Sequence, residues 1–135
     1  MDKALNYLAI ARKAGLAERG EEPVGAVTRA GKGYLVLVAS DASDHTWRRA
    51  KSFVAGTEQQ CVRLPYSKDE MGMAVGRSSL AIAAVTDAAL ALALVKSLPD
   101  GDAAAEEALS RRTEKLNQRK KEARAHQRNL RKGKK

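Results

Sequence analysis

The chain has one cysteine, Cys61, in 135 residues. No intramolecular disulfide can form, and no cysteine zinc cluster can be built within one chain. Cys61, His45 and His126 also lack metal-ligand spacing, and Cys61 suits a small core residue of a strand. Aromatic residues are scarce, with one Trp, one Phe and three Tyr, which leaves no platform on which a single-strand binder could stack successive bases. The N-terminal MDKALNYLAIARKAG lacks the basic start and long apolar run of a signal peptide and reads as an amphipathic helix. The one long apolar stretch, Leu80 to Leu98, is interrupted by Thr86 and Asp87. An Asp near a bilayer centre costs roughly 2.5–3.5 kcal/mol, so the stretch reads as a buried strand ended at Thr86, then a helix capped by Asp87. A cytoplasmic protein without membrane contact is expected.

Catalytic patterns are missing as well. Ser43, Asp44 and His45 hold triad residue types, but adjacent residues do not align as nucleophile, base and orienter. In RAGKGY the positions that a phosphate loop reserves for its first Gly and its Ser or Thr are Ala26 and Gly33. No carboxylate pair stands out as acid and base. The expectation is a protein that is not an enzyme, with no catalytic residue, cofactor, metal or small-molecule substrate.

What the chain has is positive charge, unevenly spread. The formal net charge is +9; residues 1–100 carry 13 Lys+Arg against 11 Asp+Glu, and residues 101–135 carry 12 against 5. Such asymmetry separates a compact domain from a basic arm and favours an acidic partner. Pro99, Asp100 and Gly101 break the pattern, so a domain over 1–98 and a helix-prone or disordered tail over 99–135 are expected. In the tail, Arg111, Arg112 and Lys115, then Arg119, Lys120 and Lys121, with Arg124 and Arg128 beyond, can neutralise phosphates and release counterions. The few apolar residues beyond Leu116 argue against membrane insertion. Leu109, Leu116, Ala123 and Leu130 repeat every seven residues, but Arg112, Arg119 and His126 occupy the companion positions, so only half a coiled-coil seam is present. A monomer is expected.

Within residues 1–98, apolar periodicity and punctuation alternate helices with strands, as in a sheet covered on both faces. Asp2 and Gly15 bracket a first helix, and Pro23 pins a short second helix near Glu22, ended by Gly31. Tyr34 to Ala39 reads as an interior strand. A third helix capped by Ser43 or Asp44 runs to about Ala55, with Trp47, Ala50 and Val54 on its core face and Arg48, Arg49 and Lys51 largely off it. Gln60 to Leu64 is a short strand. Ser67 and Glu70 have capping-box spacing for a fourth helix. Leu80 to Val85 is the last strand recognisable from its residues, and Asp87 to Leu98 a last helix.

The order and spacing of LAIARKAG at Leu8, GEEPV at Gly20, YLVLVASDAS at Tyr34, LPYSKDEMGMAVGR at Leu64 and the strand LAIAAVTD resemble the kink-turn-binding ribosomal protein family of the L-seven-Ae type. The resemblance covers about residues 4–98 and is nearest the small bacterial, YlxQ-like members. It implies an α/β fold, a three-layer α-β-α sandwich around a small mixed four-stranded sheet, and a non-catalytic protein of structured RNA, ribosomal RNA included. It also implies RNA contacts from Arg19, Gly20, Glu21, Glu22, Pro23 and Ala26 at the start of the second helix, and from Arg77, Ser78 and Ser79 before the last strand. Where the family shows Gly-x-Asn-Glu-x-x-Lys, this chain has Gly20, Glu22, Pro23 and Ala26 at the named positions. An ionised Glu22 donates no hydrogen bond, and the cation that would face guanine is absent. Two readings stay open: an RNA-binding protein with a shape-reading core and a phosphate-binding tail, or a protein-interaction module on the same fold that has lost kink-turn readout.

Overall fold

The computed structural model describes residues 2–132. Its ten elements are α1 (Lys3–Lys13), β1 (Ala17–Arg19), α2 (Glu21–Arg29), β2 (Leu35–Val38), α3 (Asp44–Val54), β3 (Gln60–Arg63), α4 (Lys68–Ala74), β4 (Ile82–Val85), α5 (Ala88–Lys96) and α6 (Ala103–Lys132). The capping signals act as the residue types dictate. Ser43 accepts from the Thr46 amide at 3.1 Å, and Asp87 from the Leu90 amide at 2.9 Å. Ser67 and Glu70 make both bonds of the capping box. Asp2 precedes α1 but its side chain makes no capping bond.

The sheet order is β1-β4-β2-β3. β4 is antiparallel to both neighbours, while β2 and β3 are parallel, so the sheet is mixed and four-stranded. β2 and β4 are central and buried throughout, which is why they read as continuous apolar runs. Helices α2 and α3 cover one face and α1, α5 and the start of α6 the other: a three-layer α-β-α sandwich. β1 had no signal of its own. Its residues, Ala-Glu-Arg, are not strand formers, and it forms because β4 offers an open edge in register, Glu18 opposite Ala84.

Strand directions decide where the loops gather. β1, β2 and β3 run one way and β4 the other. The start of α2, residues 39–43, residues 64–67 and the loop entering β4 therefore meet at one end, tied by Gly20 N to Ile82 O at 3.0 Å, Ala39 N to Ala81 O at 2.9 Å and Ser40 N to Tyr66 O at 2.8 Å. At the opposite end the buried Gln59 side chain accepts from Gly33 N at 2.8 Å and donates to Thr28 O at 3.1 Å.

The core continues past the turn at Pro99–Gly101. Ala105 and Leu109 of α6 are buried with the rest of it. Beyond Leu116 the described side chains of α6 are exposed. Of the heptad set, Leu109 is buried in the core, Leu116 is half-buried, Ala123 is exposed, and Leu130 lies outside the residues whose side chains are described.

Trp47, expected in the core, is half-buried. β3 is the sheet's edge, and the indole packs against the core from beside it, with Arg63 and Lys51 5.1 and 5.3 Å from its ring centre. For Cys61, on the same edge strand, burial, partly offset by Lys51, pushes the thiol from 9.0 up to about 12. The native state therefore holds a proton that the unfolded chain releases above pH 9, and stability falls as pH rises. The contribution is complete below about pH 9 and is lost toward pH 12. Urea midpoints measured across that range should fall less steeply for Cys61→Ala than for the natural chain; parallel curves would remove Cys61 as the cause.

Candidate nucleic-acid interface

Gly20 stands between β1 and α2 with φ +98° and ψ 160°, a region that only glycine occupies without about 1–3 kcal/mol of strain. This turn lets the chain leave the sheet edge and enter a helix at once. Gly20 has no side chain with which to cap α2, and Pro23 has no amide hydrogen. The N–H groups of Glu21 and Glu22 consequently have no acceptor within the helix and point off its N-terminus, where the backbone is partly positive.

The loop entering β4 lies beside this terminus. A Cβ built on Gly20 would sit 3.9 Å from Arg77 Nη1. The loop is held from below by α4: Arg77 N donates to Gly72 O at 2.8 Å, and Leu80 N to Lys68 O at 2.9 Å. The backbone passes so close that a Cβ on Gly72 would meet Ser79 N at 2.7 Å. Arg19 Nη1 donates to Val75 O at 2.8 Å, so this half-buried arginine positions the loop. Arg77, Ser78 and Ser79 are exposed.

Glu21 pairs with Arg49 of α3, which also lies 5.2 Å from the Phe53 ring centre. Both groups of the pair are well exposed, so its contribution to stability is small; what it does is turn one of the two carboxylates aside. Glu22, Pro23 and Ala26 are exposed and, with Gly25, Arg29 and Arg49, line an open groove along α2 of about 560 Å³.

Two arginines join this end that the sequence reading passed over as site residues. Arg49 is one; its only signal was a place among the cations off the core face of α3. Arg12 of α1 is the other. Its Nη2 lies 3.1 Å from where a Cβ on Gly76 would be, and nothing in the spacing of α1 marks it.

The tail residues are elsewhere. Arg112 stacks 4.4 Å above the Tyr34 ring centre, donates to Gly31 O at 3.1 Å and faces Glu58 at 3.9 Å. Lys115 reaches the same Glu58 at 3.4 Å, and Arg111 pairs with Glu107 at 3.3 Å. Gly31 and Glu58 belong to the end of the sheet opposite Gly20 and Arg77. Arg119, Lys120 and Lys121 lie further out along the exposed half of α6. The structure thus brings Gly20 and Arg77 together and separates both from the tail. Among the described residues no cluster of three or more His, Cys, Asp or Glu could hold a metal ion, and no helix is long and apolar enough to cross a membrane.

Comparison with known proteins places this geometry. The chain is 35% identical over 75 residues to RNA-binding protein YlxQ of Enterococcus faecium, a match covering 56% of this chain and 72% of that protein. The chain belongs to the YlxQ family. The resemblance read from LAIARKAG, GEEPV and the later segments is borne out. No protein-family model matches the sequence. A protein of unknown function from Bacillus halodurans shares the fold with a TM-score of 0.67 at 25% identity, over 71% of this chain and 96% of that one. The 15.5 kD RNA binding protein of Giardia lamblia superposes with a TM-score of 0.60 at 21% identity, over 78% of this chain and 85% of that one, and supports the fold alone. This YlxQ-family chain thus has the three-layer α-β-α fold of these solved structures.

Proposed function

We propose that this YlxQ-family chain is a non-catalytic, cytoplasmic and monomeric RNA-binding protein. Its core receives a structured, kinked RNA, ribosomal RNA being a candidate, at the end formed by the α2 N-terminus and the Arg77 loop. The observation that carries this is the meeting of Gly20 and Arg77, residues 57 positions apart. Uncapped backbone N–H groups and a guanidinium converge there on one exposed surface, the donor set that phosphate oxygens take. An A-form major groove is too narrow to admit a helix end, and a kink opens one. Because Glu22, Pro23 and Ala26 replace polar and cationic readers, the core reads shape and backbone rather than bases.

A gel-shift comparison of kink-turn RNA with an unkinked duplex of equal length tests this. The full chain should prefer the kinked RNA. The triple variant Glu22→Asn, Pro23→Glu, Ala26→Lys should bind it roughly 5–150-fold more tightly, because a good base-edge pairing is worth about 1–3 kcal/mol. No preference in the natural chain and no gain in the variant would support the second reading, a protein-interaction module, which Glu22, Pro23 and Ala26 in place of the expected RNA readers motivate.

A further inference from the structure

Helix α6 starts at the loop end that holds the proposed RNA surface and runs away from it. Its lead-in, Pro99 to Asp102, lines a groove with Ser40, Leu64 and Pro65 at the loop end. By Arg112 it has reached Gly31 and Glu58 at the other end. From there it continues as one helix to Lys132, and its described side chains from Asn117 onward are all exposed. Its direction where it leaves the body is set by the buried Leu109 and by Arg112 over Tyr34, with the exposed Glu58 facing Arg112 and Lys115 beside them. Leu109 and Arg112 therefore anchor the helix, and Lys115 is drawn to Glu58 at the body rather than to the outer half.

Four cations share one side of the outer half. At about 100° per residue, Lys120, Lys121, Arg124 and Arg128 fall within an arc of roughly 100°. Glu122, the acid between them in sequence, lies on the far side, where it accepts from Gln118 at 3.3 Å. At about 1.5 Å per residue the arc begins roughly 12 Å beyond Arg112 and ends roughly 24 Å beyond it; α2 with its flanking turns adds roughly 16 Å back to Gly20. The arc is thus roughly 30–40 Å from the α2 N-terminus, too far to touch the phosphates held there.

We propose that Lys120, Lys121, Arg124 and Arg128 grip the phosphates of an RNA stem roughly 30–40 Å from the segment held at Gly20 and Arg77, so that the protein spans two places on one folded RNA. This rests on the RNA-binding reading of the core. At roughly 3 Å of rise per base pair, the span corresponds to on the order of ten base pairs of stem. α6 acts as a ruler: an RNA too short to reach the arc is bound by the core alone.

The test uses the full chain and the variant Lys120→Gln, Lys121→Gln, Arg124→Gln, Arg128→Gln, whose changes are all on exposed positions. The probes are two RNAs with the same kinked internal loop and a flanking stem of about 5 or about 20 base pairs, titrated by fluorescence anisotropy at several salt concentrations. The natural chain should bind the long stem at least tenfold more tightly, with a log–log salt slope steeper by about 3, as expected for about four phosphates neutralised. The variant should lose that difference and keep the short-stem affinity. Equal affinity of the natural chain for both RNAs, or a variant weakened equally on both, overturns the ruler and leaves the core site standing. A natural chain that binds neither RNA overturns the core reading and this proposal together.

Discussion

Replacing Leu109 by alanine should destabilise the protein by about 2–5 kcal/mol, the range for emptying a buried leucine site, and should loosen α6 from the body. Leu109 is 1% exposed and, with Ala105, is the apolar part of α6 that seals against the core. The other contacts here are polar. The Arg112 side chain is 20% exposed, and its partner Glu58 is 65% exposed, so the ion pair is screened and contributes little. The stack on Tyr34 adds about 0.5–2 kcal/mol. Leu109 should therefore outweigh the cations beside it. Urea unfolding gives the loss directly, and limited proteolysis shows where it falls: cleavage between Ala103 and Leu116 should accelerate in Leu109→Ala ahead of cleavage in the sheet. An unchanged midpoint with an unchanged cleavage pattern would mean that α6 is not part of the cooperative unit.

This helix also shows what could be read along the chain and what could not. Residues 101–135 are dominated by charge, and a charged helix reads as solvated. Two side chains alter that, Ala105 and Leu109, and their worth depends on a groove built by α5 and β3, which no local pattern displays. β1 was missed for the same kind of reason, since its pairing lives in β4. Elements whose cause is local were legible: the Ser67–Glu70 box, the Ser43 and Asp87 caps, and the all-buried β2. The site divides the same way. Gly20, Glu22 and Pro23 could be marked because a turn and a helix start are local events. That Arg77 would stand beside Gly20 depends on β4 running against β1, and came from the family resemblance rather than from the residues. That Arg112 and Lys115 would be held by Glu58, and Glu21 by Arg49, depends on elements far apart in sequence. Composition alone grouped all the tail cations as one phosphate-binding set; the fold splits them into anchors at the body and a free arc beyond it.

The loop at Arg77 is the place where packing and function are most tightly joined, and Gly72→Val should expose the link. A Cβ at Gly72 would lie 2.7 Å from Ser79 N and 2.8 Å from both Arg77 O and Ser79 Cα. All three neighbours belong to the loop backbone, so no side-chain rotation can relieve the overlap, and valine adds two further carbons. The loop would have to lift off α4, breaking the bond from Arg77 N to Gly72 O and straining that from Leu80 N to Lys68 O. The expected loss is about 3 kcal/mol or more, at or above the upper end for overpacking. Met73→Val, one residue on and 76% exposed, puts the same side chain into the same helix without touching the loop, and should cost less than about 1 kcal/mol. A lifted loop carries Arg77 away from Gly20, so the Gly72 variant should also bind the short-stem kinked RNA at least tenfold more weakly, about 1.4 kcal/mol, at temperatures where it is still folded. If Gly72→Val lost stability and kept that affinity, Arg77 would not be part of the RNA surface, because the loop that presents it would have moved without consequence.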